Sequence, residues 1–251
     1  VYYVKPDFSQ FSIKTIIAAV GQLFYSMSLA MGIMITYGSY MRKEDNIESS
    51  VRQIEIFDTI VAFLAGLIIV PSVFVFSGGD KSALNAGPSL MFITLPNVFK
   101  EMVGGQIVGS VFFLLVVLAA MTSSISLMET VVSMVEERFG LKRFPACLIV
   151  TVISFVIGLL SIFGYSIWSD FTIFKMQILD FFDYISNNIM MPIVALMTCI
   201  LIGFVAKTTY VEEEIELNEK FKSKKLYRIM IKYICPVCML LILFSSLFLT
   251  L

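Results

Sequence analysis

Any chemistry this chain performs is done without histidine, since none of its 251 residues is one. Imidazole metal sites and Ser-His nucleophilic catalysis are therefore excluded within the chain. Cys235-Pro-Val-Cys238 has the spacing of a dithiol redox pair, but its apolar surroundings favour packing. A serine nucleophile inside a membrane span would need a lysine or histidine base there, and lysine avoids the centres of the apolar runs. Backbone and side-chain oxygens remain. The stretch Gly21 to Tyr40, GQLFYSMSLAMGIMITYGSY, places Ser26, Ser28 and Gly32 midway along an apolar run. A turn unwound there frees peptide carbonyls and amides, which hydrocarbon tolerates only when they are buried in protein or face a cavity or ion. A plainer arrangement uses the same residues: the serines bond back to carbonyls one turn earlier, and Gly32 lets helices approach closely.

The elements around this stretch are membrane helices. With 58% hydrophobic and 15% charged residues, and a mean hydropathy of +0.90, the composition lies far outside the soluble range. A net charge of −1 hides segregation of charge along the chain, and no polybasic nucleic-acid patch is present. Six apolar spans are expected, at 11–40, 55–77, 105–135, 145–165, 178–206 and 227–250. The first would reach about 45 Å as one helix at about 1.5 Å per residue, too long for a straight crossing of a core about 30 Å thick. The fold class expected is all-α and polytopic, with six transmembrane helices of which the first is discontinuous.

Thirteen of the 18 Lys and Arg residues fall in alternate connections, around 42–52, 138–143 and 207–232. The positive-inside rule makes those connections cytoplasmic and both chain ends extracellular. The chain starts at Val1, with no cleavable leader, so further helices are expected upstream. The connection from Ser77 to Gly105 is too short and interrupted for a full span and is expected to form an outer helical hairpin at about 80–103. Residues 207–226 read as a charged, solvated cytoplasmic linker whose Glu-to-Lys spacing supports a short helix, followed by a final span within 227–251. The four cysteines mostly lie in spans, so no disulfide framework is indicated.

Five motifs in order carry a resemblance: the Gly21–Tyr40 stretch, DTIVAFLAGLIIVP from Asp58, AGPSLMFITLPNVF from Ala86, AAMTSSISLMETVVSMVEE from Ala119 and FFDYISNNIMMP from Phe181. With these the sequence resembles the neurotransmitter:sodium symporters, in particular bacterial sodium-dependent amino-acid transporters of the LeuT-type fold. It covers that family's second half. The resemblance implies that residues 1–206 are the second of two inverted five-helix repeats, that an extra helix follows, and that the N-terminal half of the transporter is a required partner. It also implies a lipid bilayer as the setting, transport rather than enzymatic catalysis, and broken helices meeting at a midplane site.

By the same resemblance, Ser26 and Asp58 are ligands of a first Na+, Asp58 standing where relatives often have Asn. A carboxylate is a hard oxygen ligand suited to a small hard cation. Where chloride-dependent relatives have Ser, one turn past Asp58, this chain has Ala62, which implies chloride independence. Ala119, Thr122 and Ser123 resemble the eighth-helix share of a second Na+ site, at offsets of three and four on one helical face. Tyr25, Ser26, Met27, Ser28, Met31, Ser123 and Leu127 would line the substrate pocket, with Tyr25 as an aromatic lid. None of these is charged, so a charged substrate side chain would lack a partner, and a neutral, hydrophobic amino acid is implied. Ala30 departs from the family, which commonly has Gly there. Asp183 with Gln22 resembles the outer gate, and Glu137 with Ser39 and Tyr40 the inner latch; the cationic partners of both would lie in the other half. The alternative is a truncated or split membrane protein that folds or acts as a scaffold without transporting.

Overall fold

The structure is a computed structural model describing residues 11–76, 90–168, 170–174, 176–218 and 220–248. An apolar chain in hydrocarbon must satisfy its own amides, and among the described residues the regular structure is helical apart from one isolated bridge between Ile173 and Met176. The order is α1 (Ile13–Ser26), α2 (Ile33–Ser39), α3 (Ile47–Phe76), α4 (Leu95–Glu101), α5 (Gly105–Phe139), α6 (Arg143–Gly164), α7 (Ile178–Asp183), α8 (Met191–Ile200), α9 (Thr208–Glu216), α10 (Lys224–Ile229) and α11 (Cys235–Phe248). π-helical turns at Tyr184–Met190 and Leu201–Val205 join α7 and α8 into one rod, Ile178–Val205, and another at Met230–Ile234 joins α10 to α11.

Among the described residues, five rods are long and apolar enough to cross a membrane: Ile47–Val75, Gly105–Phe139, Arg143–Gly164, Ile178–Val205 and Lys224–Leu247. They match five of the six expected spans. α3 starts well before the expected 55, because Asn46 caps it and the polar turn IESSVRQIE extends it beyond its apolar part. The expected first span is instead two short helices, α1 and α2. Its N-terminus is set by Ser12, whose hydroxyl accepts from the Thr15 amide at 3.4 Å.

The chain divides into two units, Val1–Phe11 with Gln53–Ser124, and Ser12–Arg52 with Ile125–Leu251. In the first, Val73 of α3 is buried with Leu95 and Val98 of α4, and Phe99 packs on the rings of Phe112 and Phe113 of α5. A π turn at Leu90–Thr94 feeds α4. The first part of the expected outer hairpin, 80–89, lies outside the described residues. The closest approach is at Gly105, where a Cβ would sit 1.6 Å from the Phe99 carbonyl oxygen, so the turn from α4 into α5 exists only with glycine there. In the second unit, Val132 of α5 packs on Ala146 and Val150 of α6, while Ala195 of α8 and Met239 and Ile242 of α11 bury Ile17, Val20 and Phe24 of α1. Many other apolar side chains, such as Ile107, Val111, Leu114 and Leu118 along α5, are exposed, as expected of a surface whose solvent is lipid or other helices.

The charged linker departs from expectation in one respect. A short helix, α9, does form, but its Glu212 is only 1% exposed. Arg228 grips its carboxylate with two bonds, Nε to Oε1 and Nη2 to Oε2, both 2.6 Å, and Lys224 lies 3.3 Å away while also bonding Glu216. The Arg228 guanidinium holds the Glu212 carboxyl down at about 2 against the opposing effect of burial, with hydrogen bonds from Thr208 and Lys224 adding to it. The segment is thus folded back onto the foot of the last rod. Cys199 is buried and Cys235 and Cys238 half-buried, all as free thiols.

Two outcomes follow. Gly105→Ala should destabilise the protein by more than about 2 kcal/mol, read as a lower Tm in detergent, while Gly158→Ala, whose methyl meets open space, should leave Tm unchanged. Because Glu212 titrates below its ordinary 4.5, the stability it contributes is complete above about pH 4.5 and is lost as pH falls towards 2. Glu212→Gln should cost about 1–3 kcal/mol at neutral pH and flatten the acid limb of melts run from about pH 6 to about pH 3.

Candidate functional site

α1 stops at Ser26 within the bilayer-length run, and the next six residues are not helical. The Ser28 amide reaches the Tyr25 carbonyl and the Leu29 amide the Phe24 carbonyl, both at 3.0 Å, closing the last turn. Beyond it Ser28, Ala30 and Gly32 alternate at positive φ, 53°, 60° and 82°. For Ser28 and Ala30 this left-handed backbone costs about 1–2 kcal/mol each. The methyl of Ala30 packs against the buried cluster of Ala195, Met239 and Ile242, which offsets the strain. At Gly32 a side chain is excluded twice over, by φ and by a Cβ position only 2.8 Å from Thr130 Cγ2 and 3.2 Å from Met134 Cε. α2 restarts from the Gly32 carbonyl, which accepts from both the amide and the hydroxyl of Thr36, at 3.0 and 3.1 Å. Among the described residues, no backbone bond takes up the amides of Ala30 and Met31.

The unwound turn therefore carries Met27, Ser28 and Met31, with Tyr25 and Ser26 on the turn of α1 that leads into it. In α5 the Thr122 hydroxyl donates to the Ala119 carbonyl at 2.9 Å, so these two expected ligands share one patch, with Ser123 next in the chain. The hydroxyl oxygen keeps its acceptor capacity while its proton is held. Asp58 lies in α3, within the other expected motif. The expected ligands on each of these elements are oxygen donors, hydroxyl, carbonyl or carboxylate, a chemistry that suits a hard cation and not a soft one.

Three expected residues meet in one cavity of about 450 Å³. Gln22 and Tyr25 of α1, Asp183 at the end of α7 and Asn187 of the π turn line it, with Ser245 and Ser246 of α11. Asn187 donates to the Asp183 carboxylate at 2.6 Å, and Tyr184 donates to the Ser246 carbonyl at 3.0 Å, fixing the π turn against α11. The carboxylate of Asp183 thus lines a cavity of mixed polar and apolar walls with one oxygen already oriented.

At the far end of α2, the Ser39 hydroxyl bonds back to the Thr36 carbonyl and Tyr37 bonds Ser126 of α5. Tyr40 donates to Glu129 Oε1 at 2.6 Å, and Glu129 receives both ends of the Arg143 guanidinium. Glu136 lies 3.7 Å from the same arginine, whereas Glu137, two turns past Glu129, is exposed. Sequence reasoning named Tyr40 but neither Glu129 nor Arg143. An acid in the last third of an apolar span with a basic residue 14 positions later, across the α5–α6 turn, was the available signal.

The sequence matches the sodium:neurotransmitter symporter family over residues 1–250. It is 35% identical over 248 residues to an uncharacterized sodium-dependent transporter of Haemophilus influenzae, covering 98% of this chain and 53% of that protein. To the uncharacterized sodium-dependent transporter YhdH of Bacillus subtilis it is 31% identical over 80% of this chain and 44% of that protein. Among solved structures it is similar to MhsT in complex with L-phenylalanine, with a TM-score of 0.84 and 31% identity over 96% of this chain and 54% of MhsT. The chain spans about half the length of these relatives. The chain, whose described residues form five long apolar rods and a shorter apolar helix that stops at Ser26, is matched along nearly its whole length; it belongs to the sodium:neurotransmitter symporter family and is a multi-pass membrane protein.

Proposed function

We propose that this chain is the C-terminal half of a sodium-coupled symporter of a neutral, hydrophobic amino acid. The observation that carries the reading is the strained, non-helical turn from Met27 to Gly32, which keeps peptide groups out of helical bonds inside an apolar segment. In this reading residues 1–206 form the second inverted repeat, 207–226 a cytoplasmic linker and 227–251 a last span, with both ends of the chain extracellular. MhsT, 31% identical to this chain, is solved with L-phenylalanine, which supports the class of substrate.

The Ser26 hydroxyl and carbonyl and the Asp58 carboxylate hold one Na+, and the Ala119 carbonyl with the Thr122 and Ser123 hydroxyls holds part of a second. The negative charge of Asp58 offsets that of the ion, and with Ala62 in place of a hydroxyl there is no call for chloride. Tyr25, Ser26, Met27, Ser28, Met31, Ser123 and Leu127 meet the substrate: amides of the turn orient its polar groups, and Met31 and Leu127 adapt to a bulky apolar side chain. Asp183 and Gln22 close the outer side, and Glu137, Ser39 and Tyr40 latch the inner side. We add Glu129 and Arg143 to that latch because their bonds tie the end of α2 to α5 and α6. Sodium binding favours the outward-open arrangement, and substrate then permits the change of access.

The test is binding of labelled neutral amino acids, phenylalanine first, to the full transporter in sodium against potassium. Asp58→Ala should abolish sodium-dependent binding, and unchanged sodium affinity would refute its assignment. Exchanging chloride for gluconate should leave uptake within about two-fold of its value; a larger loss rejects chloride independence.

A further inference from the structure

The turn leaving α2 is closed from within and also gripped from outside. Between Tyr40 and α3 the chain reads MRKEDN. The Asp45 carboxylate accepts from the Arg42 amide at 2.7 Å, and the Asp45 amide donates to the Arg42 carbonyl at 3.0 Å. Asn46 then caps α3, accepting from the Ser49 amide at 2.9 Å. Those bonds complete the turn without help. Yet the carbonyls of Lys43 and Asp45 both accept from one side chain far along the chain, Asn218 Nδ2, at 2.8 and 2.9 Å. A primary amide has two N–H groups, and Asn218 spends both here.

Asn218 lies two residues past the end of α9, and α9 is itself anchored, through buried Glu212, to Arg228 and Lys224 at the foot of the last rod. The segment from Thr208 to Asn218 is therefore a strap fastened twice, by an ion pair at one point and by an amide at another. Since the α2–α3 turn already closes itself, what the amide adds is position: it fixes the end of α2 relative to α9. α2 is the half helix that restarts after the unwound turn, so its far end is the support on which that turn bears.

We propose that Asn218 is a positioning residue for transport, holding the second half of the broken helix in place through the α2–α3 turn and coupling it to the last rod. This rests on the reading of the chain as half of a sodium symporter. In that reading the residue touches neither ion nor substrate, so its loss acts on turnover and not on binding.

The experiment uses the full transporter with N218D, which removes both donors at unchanged size, and N218A. Hydrogen exchange read by mass spectrometry should rise about ten-fold over residues 40–46 in both variants, the effect two ordinary hydrogen bonds support, with residues 143–164 unchanged. Sodium-driven uptake of phenylalanine, or of the best substrate in a panel of neutral amino acids, should lose about five-fold in kcat while KM stays within about two-fold. Unchanged exchange over 40–46, a rise spread over the whole chain, or wild-type kcat despite a loosened turn overturns the proposal. Wild-type uptake in potassium separates the two claims: uptake that ignores sodium refutes the symporter reading, while exchange over 40–46 still decides whether Asn218 grips the turn.

Discussion

Hydrocarbon supplies no hydrogen-bond partners, and that one constraint organises this chain. Five segments meet it by forming unbroken rods. The apolar segment from Ile13 to Ser39 departs from it between Met27 and Gly32, and the structure around the break compensates: Ala30 is pressed into an apolar cluster, Gly32 is roofed by Thr130 and Met134, and the Gly32 carbonyl restarts a helix with a doubled bond from Thr36. A non-helical turn that costs a few kcal/mol in backbone strain persists only where its surroundings over-determine it, and such turns concentrate at sites that bind something.

The same economy appears in the ionised groups. Those with a described ionic partner sit towards helix ends and in connections: Arg143 with Glu129 and Glu136, Arg228 and Lys224 with Glu212, Arg52 with Glu48. Glu212 illustrates why burial alone does not neutralise an acid. Two guanidinium bonds outweigh desolvation, so the carboxylate stays charged and acts as a rivet between α9 and α10.

Much of this was legible in the residues. The apolar runs gave four rods to within a few positions and the fifth, α3, except for its polar first turns, and Ser26, Ser28 and Gly32 marked the break because their types loosen a helix. Four features were not legible. That Ala30 adopts left-handed backbone contradicts its intrinsic preference and depends on packing from α8 and α11. Glu212 looked solvated because its clamp, Arg228, is 16 residues away across a turn. The links from Tyr40 to Glu129 and from Asn218 to Lys43 join residues separated by 89 and 175 positions, which no local pattern encodes. Nor does periodicity distinguish π from α turns, since both bury an apolar stripe.

Those π turns bear on how the chain tolerates insertions and deletions. A π turn holds one residue more than an α turn for a similar advance, whereas an α-helix turns about 100° per residue. Losing one residue within Tyr184–Met190 would tighten that turn to an ordinary helix and leave Met191 to Ile200 facing the same neighbours, while the same loss inside α8 would swing every later side chain of the rod by over a quarter turn. The wide turns are therefore slack in an otherwise unforgiving register, and length variation among homologous rods should collect there.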